Sequence, residues 1–96
     1  MATFVVLAKW SNKTYDSLKD APAAAAEIKK VVAEQGAKIL AWYVLMGRFD
    51  EMCILEAPDA ATVARIIVPL NAKYGTRTET LQAFSEAEAM QLFAAV

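Results

Sequence analysis

The chain has 96 residues, ten basic and eleven acidic, a formal net charge of -1 and no histidine. That length is one small domain, residues 1–96,, yet 57% of the residues are hydrophobic, more than one small core takes up, so a homodimer or a higher homo-oligomer is expected. Evenly spread charge excludes the basic footprint of a nucleic-acid binder, and the absence of His beside a lone cysteine, Cys53, excludes His-based acid–base chemistry, His-ligated haem, an intrachain disulfide and a Cys cluster for metal.

No cofactor and no metal are therefore expected. The first residues lack the charged and apolar regions of a signal peptide. No uncharged apolar run reaches the ~18 residues of a membrane span. The expectation is a cytoplasmic protein with no membrane partner.

Thr3 to Trp10 predicts a first strand, β-branched, aromatic and apolar on both faces until Lys9,. Ser11 to Ala21 is a polar connection, with Tyr15 and Leu18 spaced for one helical turn. A helix is predicted from about Pro22 to Gln35, capped by Asp20 and stopped by Gly36,. Its apolar stripe is Ala24, Ile28, Val31 and Val32, with Glu27, Lys29, Lys30 and Glu34 facing water,.

The centre of the chain is Ile39 to Pro58, two apolar strands joined at Gly47-Arg48-Phe49-Asp50. Alternation groups Ile39, Ala41, Tyr43 and Leu45 on one face and Leu40, Trp42, Val44 and Met46 on the other,. Both faces are apolar, so both need cover. Pro58-Asp59 ends the third strand and caps a helix striped by Val63, Ile66, Ile67, Leu70 and Tyr74,. Pro69 is expected to break or kink that helix near Val68. The fourth strand, Thr76 to Phe84, carries Thr78, Thr80 and Gln82 on one side, the pattern of an edge strand or a wet cavity wall. A last helix starts at Ser85 with Glu88 completing a capping box, anchored by Met90 and Phe93,.

The order is β-α-β-β-α-β plus a terminal helix. It predicts an α+β, ferredoxin-like fold: an antiparallel four-stranded sheet with both helices on one face. A second copy packed sheet to sheet is the simplest cover for the other face.

The segments Met46-Gly47-Arg48-Phe49-Asp50, Glu56-Ala57-Pro58-Asp59 and Arg77-Thr78-Glu79-Thr80-Leu81 with Ala83-Phe84, and the opening Val5 to Trp10, resemble the GYD-domain proteins of prokaryotes. The resemblance covers nearly the whole chain and implies a dimeric α/β-barrel. The family usually has Tyr where this chain has Phe49, which can only pack. The wider barrel superfamily holds cofactor-free monooxygenases, isomerases, haem-binding enzymes and non-catalytic proteins, and fold alone does not choose among them.

Asp50, after a Gly turn at the end of an apolar strand, is the candidate catalytic base, or a turn aspartate bonding nearby backbone N–H groups. Arg48 and Arg77 are candidate anchors for a substrate carboxylate or enolate; Arg77 can instead pair with Asp50 or Glu79. Trp10, Trp42 and Tyr43 line an aromatic pocket, or belong to core packing or the dimer interface. Cys53, mid-strand among apolar neighbours, is read as an inert buried thiol. Two functions fit: a non-catalytic or regulatory homodimer binding a small apolar or aromatic molecule, or a cofactor-independent monooxygenase or isomerase of a small aromatic or enolisable acid.

Overall fold

The computed structural model describes every residue from Met1 to Val96. Strand β1 is Ala2–Trp10, followed by the short helix α1 (Asn12–Asp16) and a 3₁₀ turn (Leu18–Asp20) that runs into α2 (Ala21–Glu34). Strands β2 (Lys38–Val44) and β3 (Glu51–Ala57), helix α3 (Ala60–Tyr74), strand β4 (Thr76–Ala83) and helix α4 (Glu86–Ala94) complete the chain. The expected order is present, and the Tyr15–Leu18 spacing does mark helical turns.

The four strands form one antiparallel sheet in the order β2-β3-β1-β4, the ferredoxin-like arrangement. Directly opposed residues share a face. Phe4, Val6 and Ala8 of β1 oppose Leu55, Cys53 and Glu51 of β3 and Gln82, Thr80 and Thr78 of β4. This face meets α2 and α3. Phe4, Val6, Leu55 and Ala57 cluster there with Val63 of α3. Val32 of α2 and Ile66 of α3 are also buried, so both helices turn their predicted stripes inward. The opposite face carries Val5, Leu7, Ile54, Met52 and Leu81, and no helix covers it.

One sequence expectation fails in β2. Ile39 opposes Leu55 but Ala41 opposes Ile54, so Leu40 is an extra residue, a β-bulge. The bulge shifts alternation by one. Trp42 and Val44, opposite Cys53 and Glu51, join Ile39 on the helix side; Ala41 and Tyr43, opposite Ile54 and Met52, join the open side.

Two helix expectations are also corrected. Asp20 makes no side-chain cap for α2, because the 3₁₀ turn feeds the helix directly and supplies the preceding turn. Of the break or kink expected at Pro69, the break does not occur: α3 continues to Tyr74. Ile66 is 1% exposed just before it, and Asn71 just after it is bonded to Thr76 and Thr78 of β4, so packing on both flanks holds the helical path. A helix-interior proline costs ~3 kcal/mol against alanine, offset by ~1 kcal/mol of unfolded-chain freedom. Pro69→Ala is thus expected to stabilise the protein by about 2 kcal/mol, seen as a higher urea midpoint at unchanged slope.

Glu27, expected in water, instead joins the two long helices. Its carboxylate accepts from Lys73 Nζ at 2.6 and 2.7 Å and from Tyr74 Oη at 2.6 Å. The Lys73 bond, then the Tyr74 bond, holds the Glu27 carboxyl below its usual range. The bond to Glu27, then burial, pushes the Tyr74 phenol up to about 12. A depressed carboxyl contributes stability above its unfolded value of 4.5 and loses it as pH falls through the folded value,. A raised phenol contributes below its unfolded value of 10.0 and loses it as pH rises toward about 12,. Melting temperature is expected to fall on both flanks, and Glu27→Gln to flatten the alkaline one and part of the acid one.

The surface is large for the chain. Accessible area is 6490 Å² for 10.5 kDa, against about 5,400 Å² for a typical monomer of that mass. Only ten residues are buried. Helix α4 buries none of its residues. Its capping box forms as expected, Ser85 Oγ accepting from the Glu88 N–H at 3.1 Å and Glu88 Oε1 from the Ser85 N–H at 2.8 Å. Met90 and Phe93 do not anchor it, however; they are 52% and 63% exposed, because no element of the same chain encloses them.

Candidate functional site

Two places carry the polar groups singled out in the sequence. The first is the end of the sheet where β1 stops and the β2–β3 connection turns. Asp50 ties these together. Its N–H donates to Ala8 O at 2.8 Å, its C=O accepts from the Leu45 N–H at 2.8 Å, and its Oδ2 accepts from the Trp10 N–H at 2.8 Å. The carboxylate thus satisfies the strand-end donor of a residue forty positions away. The Trp10 ring meets Tyr15 of α1 edge-on, centroids 5.5 Å apart.

The other candidates do not converge on Asp50. Arg48 lies over the Phe49 ring, 5.4 Å from its centroid. Arg77 opposes Lys9 in register, on the open side of the sheet, and is exposed. It pairs with neither Asp50 nor Glu79; the ion pairs present are Lys73–Glu27 and Lys30–Glu34. Trp42 donates its indole N–H to Glu51 at 3.0 Å on the helix side, whereas Tyr43 points to the open side. As strand neighbours Trp42 and Tyr43 face opposite sides of the sheet, so they do not share one pocket; the bulge at Leu40 decides which of the two faces the helices. Cys53 packs beside the core; burial, then the nearby Glu51 charge, pushes its thiol up to about 11, which keeps it protonated and unreactive at neutral pH.

The second place is a groove of about 440 Å³ between α3 and β4. Phe4, Val63, Ile67 and Val68 form its apolar side, and Asn71, Thr78, Thr80 and Gln82 its polar side. Strand β4 is both an edge strand and a cavity wall, so the two sequence readings of Thr78, Thr80 and Gln82 hold together. Asn71 donates to Thr78 Oγ1 at 2.9 Å and accepts from Thr76 Oγ1 at 2.8 Å. It fixes one end, and the side chains of Thr80 and Gln82 make no hydrogen bond within the chain. No charged side chain lines the groove. An apolar trough with a few neutral donors and acceptors suits a small uncharged molecule.

The β4 wall is legible in the sequence as the alternating Thr78, Thr80 and Gln82; the α3 wall is not. Asn71, a polar residue next to the stripe position Leu70, was the available signal. No group of three or more Cys, Asp or Glu side chains is placed to hold a metal ion, and no helix is long and apolar enough to cross a membrane.

The GYD-domain family model matches residues 4–93. Over 89 residues, 92% of this chain and 94% of the relative, the sequence is 32% identical to the glutamine synthetase and cystathionine beta-lyase binding protein of Thermus thermophilus. The fold is similar to that of the leucine response regulatory protein LrpA of Mycobacterium tuberculosis, with TM-score 0.63 and 14% identity. It is also similar to that of an AsnC family transcriptional regulator from Agrobacterium tumefaciens, with TM-score 0.65 and 17% identity. Each match covers 88% of this chain but only 51% of the regulator, so the likeness is one of fold.

Proposed function

This chain belongs to the GYD-domain family, and we propose that it is a non-catalytic, regulatory homodimer that binds a small, largely apolar, uncharged molecule. The groove between α3 and β4 carries this reading. Its lining supplies apolar cover and neutral hydrogen-bonding groups, but no charged group to move a proton or hold an anion. In this reading Asp50 fixes the end of β1, and Arg48 and Arg77 lie outside the site. The relative from Thermus thermophilus, described as binding two enzymes, supports a protein that acts on others by binding.

The homodimer is built through the open face of the sheet. A standard interface removes roughly 800 Å² from each partner. The chain exposes about 1,100 Å² more than a monomer of its mass should, and Leu7, Val5, Ile54, Met52 and Leu81 lie together on the uncovered face. The proposal includes the cytoplasmic setting expected from the sequence.

Native mass spectrometry of protein purified from its own host tests both parts. The expected result is a dimer mass with a small neutral molecule bound in fixed ratio, largely lost in Val68→Trp, which fills the groove mouth from an exposed position. A ligand-free dimer would overturn the binding role; a monomer would overturn the sheet-to-sheet assembly.

A further inference from the structure

Two apolar surfaces remain unpartnered, one at the β2 edge of the sheet and one on the helix that follows β4, the strand at the other edge. At the β2 edge, Trp42 and Val44 stand 55% and 58% exposed on the helix side. At the start of β2, by Lys38 and Ile39, lies a cleft of about 270 Å³ between α2 and that strand, to which Lys29 also contributes. Neither lysine enters an ion pair. Following β4, α4 carries Met90 and Phe93 in the open and Glu86 and Glu88 in its first turn, with no basic residue in its last. Within one chain β3 and β1 separate the β2 and β4 strands, and the two surfaces leave each other exposed.

A two-fold axis between face-packed sheets brings them together if it runs along the strands. Such a rotation exchanges left and right edges and keeps each row of the sheet at its own height. Ala83 at the end of β4 and Lys38 at the start of β2 belong to one row, through Thr3 and Glu56. The partner's β4 therefore ends over Lys38, and its α4 begins three residues later. An axis across the strands would instead set β4 over β4 and leave both apolar edges bare.

We propose that α4 of a second copy wraps the β2 edge and seats against the α2–β2 cleft, its acidic first turn facing Lys38 and Lys29 and its Met90 and Phe93 covering Trp42 and Val44. The proposal rests on the homodimer above and adds its axis and the clasp that locks it. Two symmetric clasps form per dimer, since each copy gives a helix and receives one. The uncovered α4 and the excess surface of the chain then share one cause.

The test is zero-length carbodiimide cross-linking of the full chain, with isotopically heavy and light protein mixed until subunits exchange. The expected product joins a peptide holding Glu86 or Glu88 to one holding Lys38 or Lys29, with heavy–light pairs present. Lys38→Glu is expected to weaken the dimer about tenfold, and Lys38→Glu with Glu86→Lys to restore it. A dimer by mass that gives no such heavy–light pair, or whose dissociation constant ignores Lys38→Glu, overturns the clasp and leaves the sheet-to-sheet dimer standing. A monomer overturns both.

Discussion

Leu7→Asp is expected to convert the proposed sheet-to-sheet dimer into monomers. Leu7 sits on the open face of β1, between Met52 of β3 and Glu79 of β4. Burying a leucine contributes ~1.5–3 kcal/mol, and two-fold symmetry counts the loss twice. The new carboxylate must also be desolvated against an apolar partner, beside Glu79. Together these amount to at least ~4 kcal/mol, or about a thousandfold in dissociation constant. Sedimentation equilibrium reads the change directly. Leu7 points away from the helix-side core, so the far-ultraviolet spectrum should be unchanged at concentrations where the monomer stays folded. An unaltered dimer in this variant would show that the open face is not the interface.

The second large effect is expected at Gly75. It closes α3 in the left-handed region, φ 72°, with its N–H donating to Asn71 O. A Cβ there would lie 2.5 Å from Ser11 Oγ and 2.9 Å from Lys13 Cβ. The serine hydroxyl can rotate away, but the lysine Cβ moves only with α1. That helix is pinned by Thr14, whose hydroxyl donates to Tyr74 O at 2.7 Å, and by Lys13 Nζ on Ala72 O at 3.1 Å. Left-handed alanine costs ~1–2 kcal/mol and overpacking ~1–3 kcal/mol, so Gly75→Ala should destabilise by about 3 kcal/mol. For a domain of this size that lowers Tm by roughly 12–24 °C. Gly36 provides the control: its φ is 73° and nothing lies within 4 Å of the added Cβ, so Gly36→Ala should show the backbone cost alone. Equal melting shifts in the two variants, at one protein concentration, would remove the steric argument for α1.

Local chemistry made much of the fold legible. The Ser85–Glu88 capping box lies within one turn, as does the Asp59 cap, whose Oδ1 accepts from the Thr62 N–H at 2.8 Å. The stripe of α3 and the apolar first strand are periodic patterns that hold wherever the element packs. The candidate site was legible only on β4, where Thr78, Thr80 and Gln82 alternate. Its other wall needed α3 to cross that strand. The bulge at Leu40 left no mark in a run of apolar residues, so the faces of Trp42 and Tyr43 could not be assigned in advance.

By itself the sequence determined the element order, the class of fold, the want of histidine chemistry and the excess of apolar surface. These follow from composition and from interactions spanning a few residues. Only the tertiary structure decided that Asp50 holds the Trp10 N–H, that Glu27 ties α2 to α3, that the arginines stand apart from Asp50, and that α4 is left uncovered. Each of these depends on which distant segments meet, and that is fixed by sheet register and helix docking rather than by the residues adjacent in the chain.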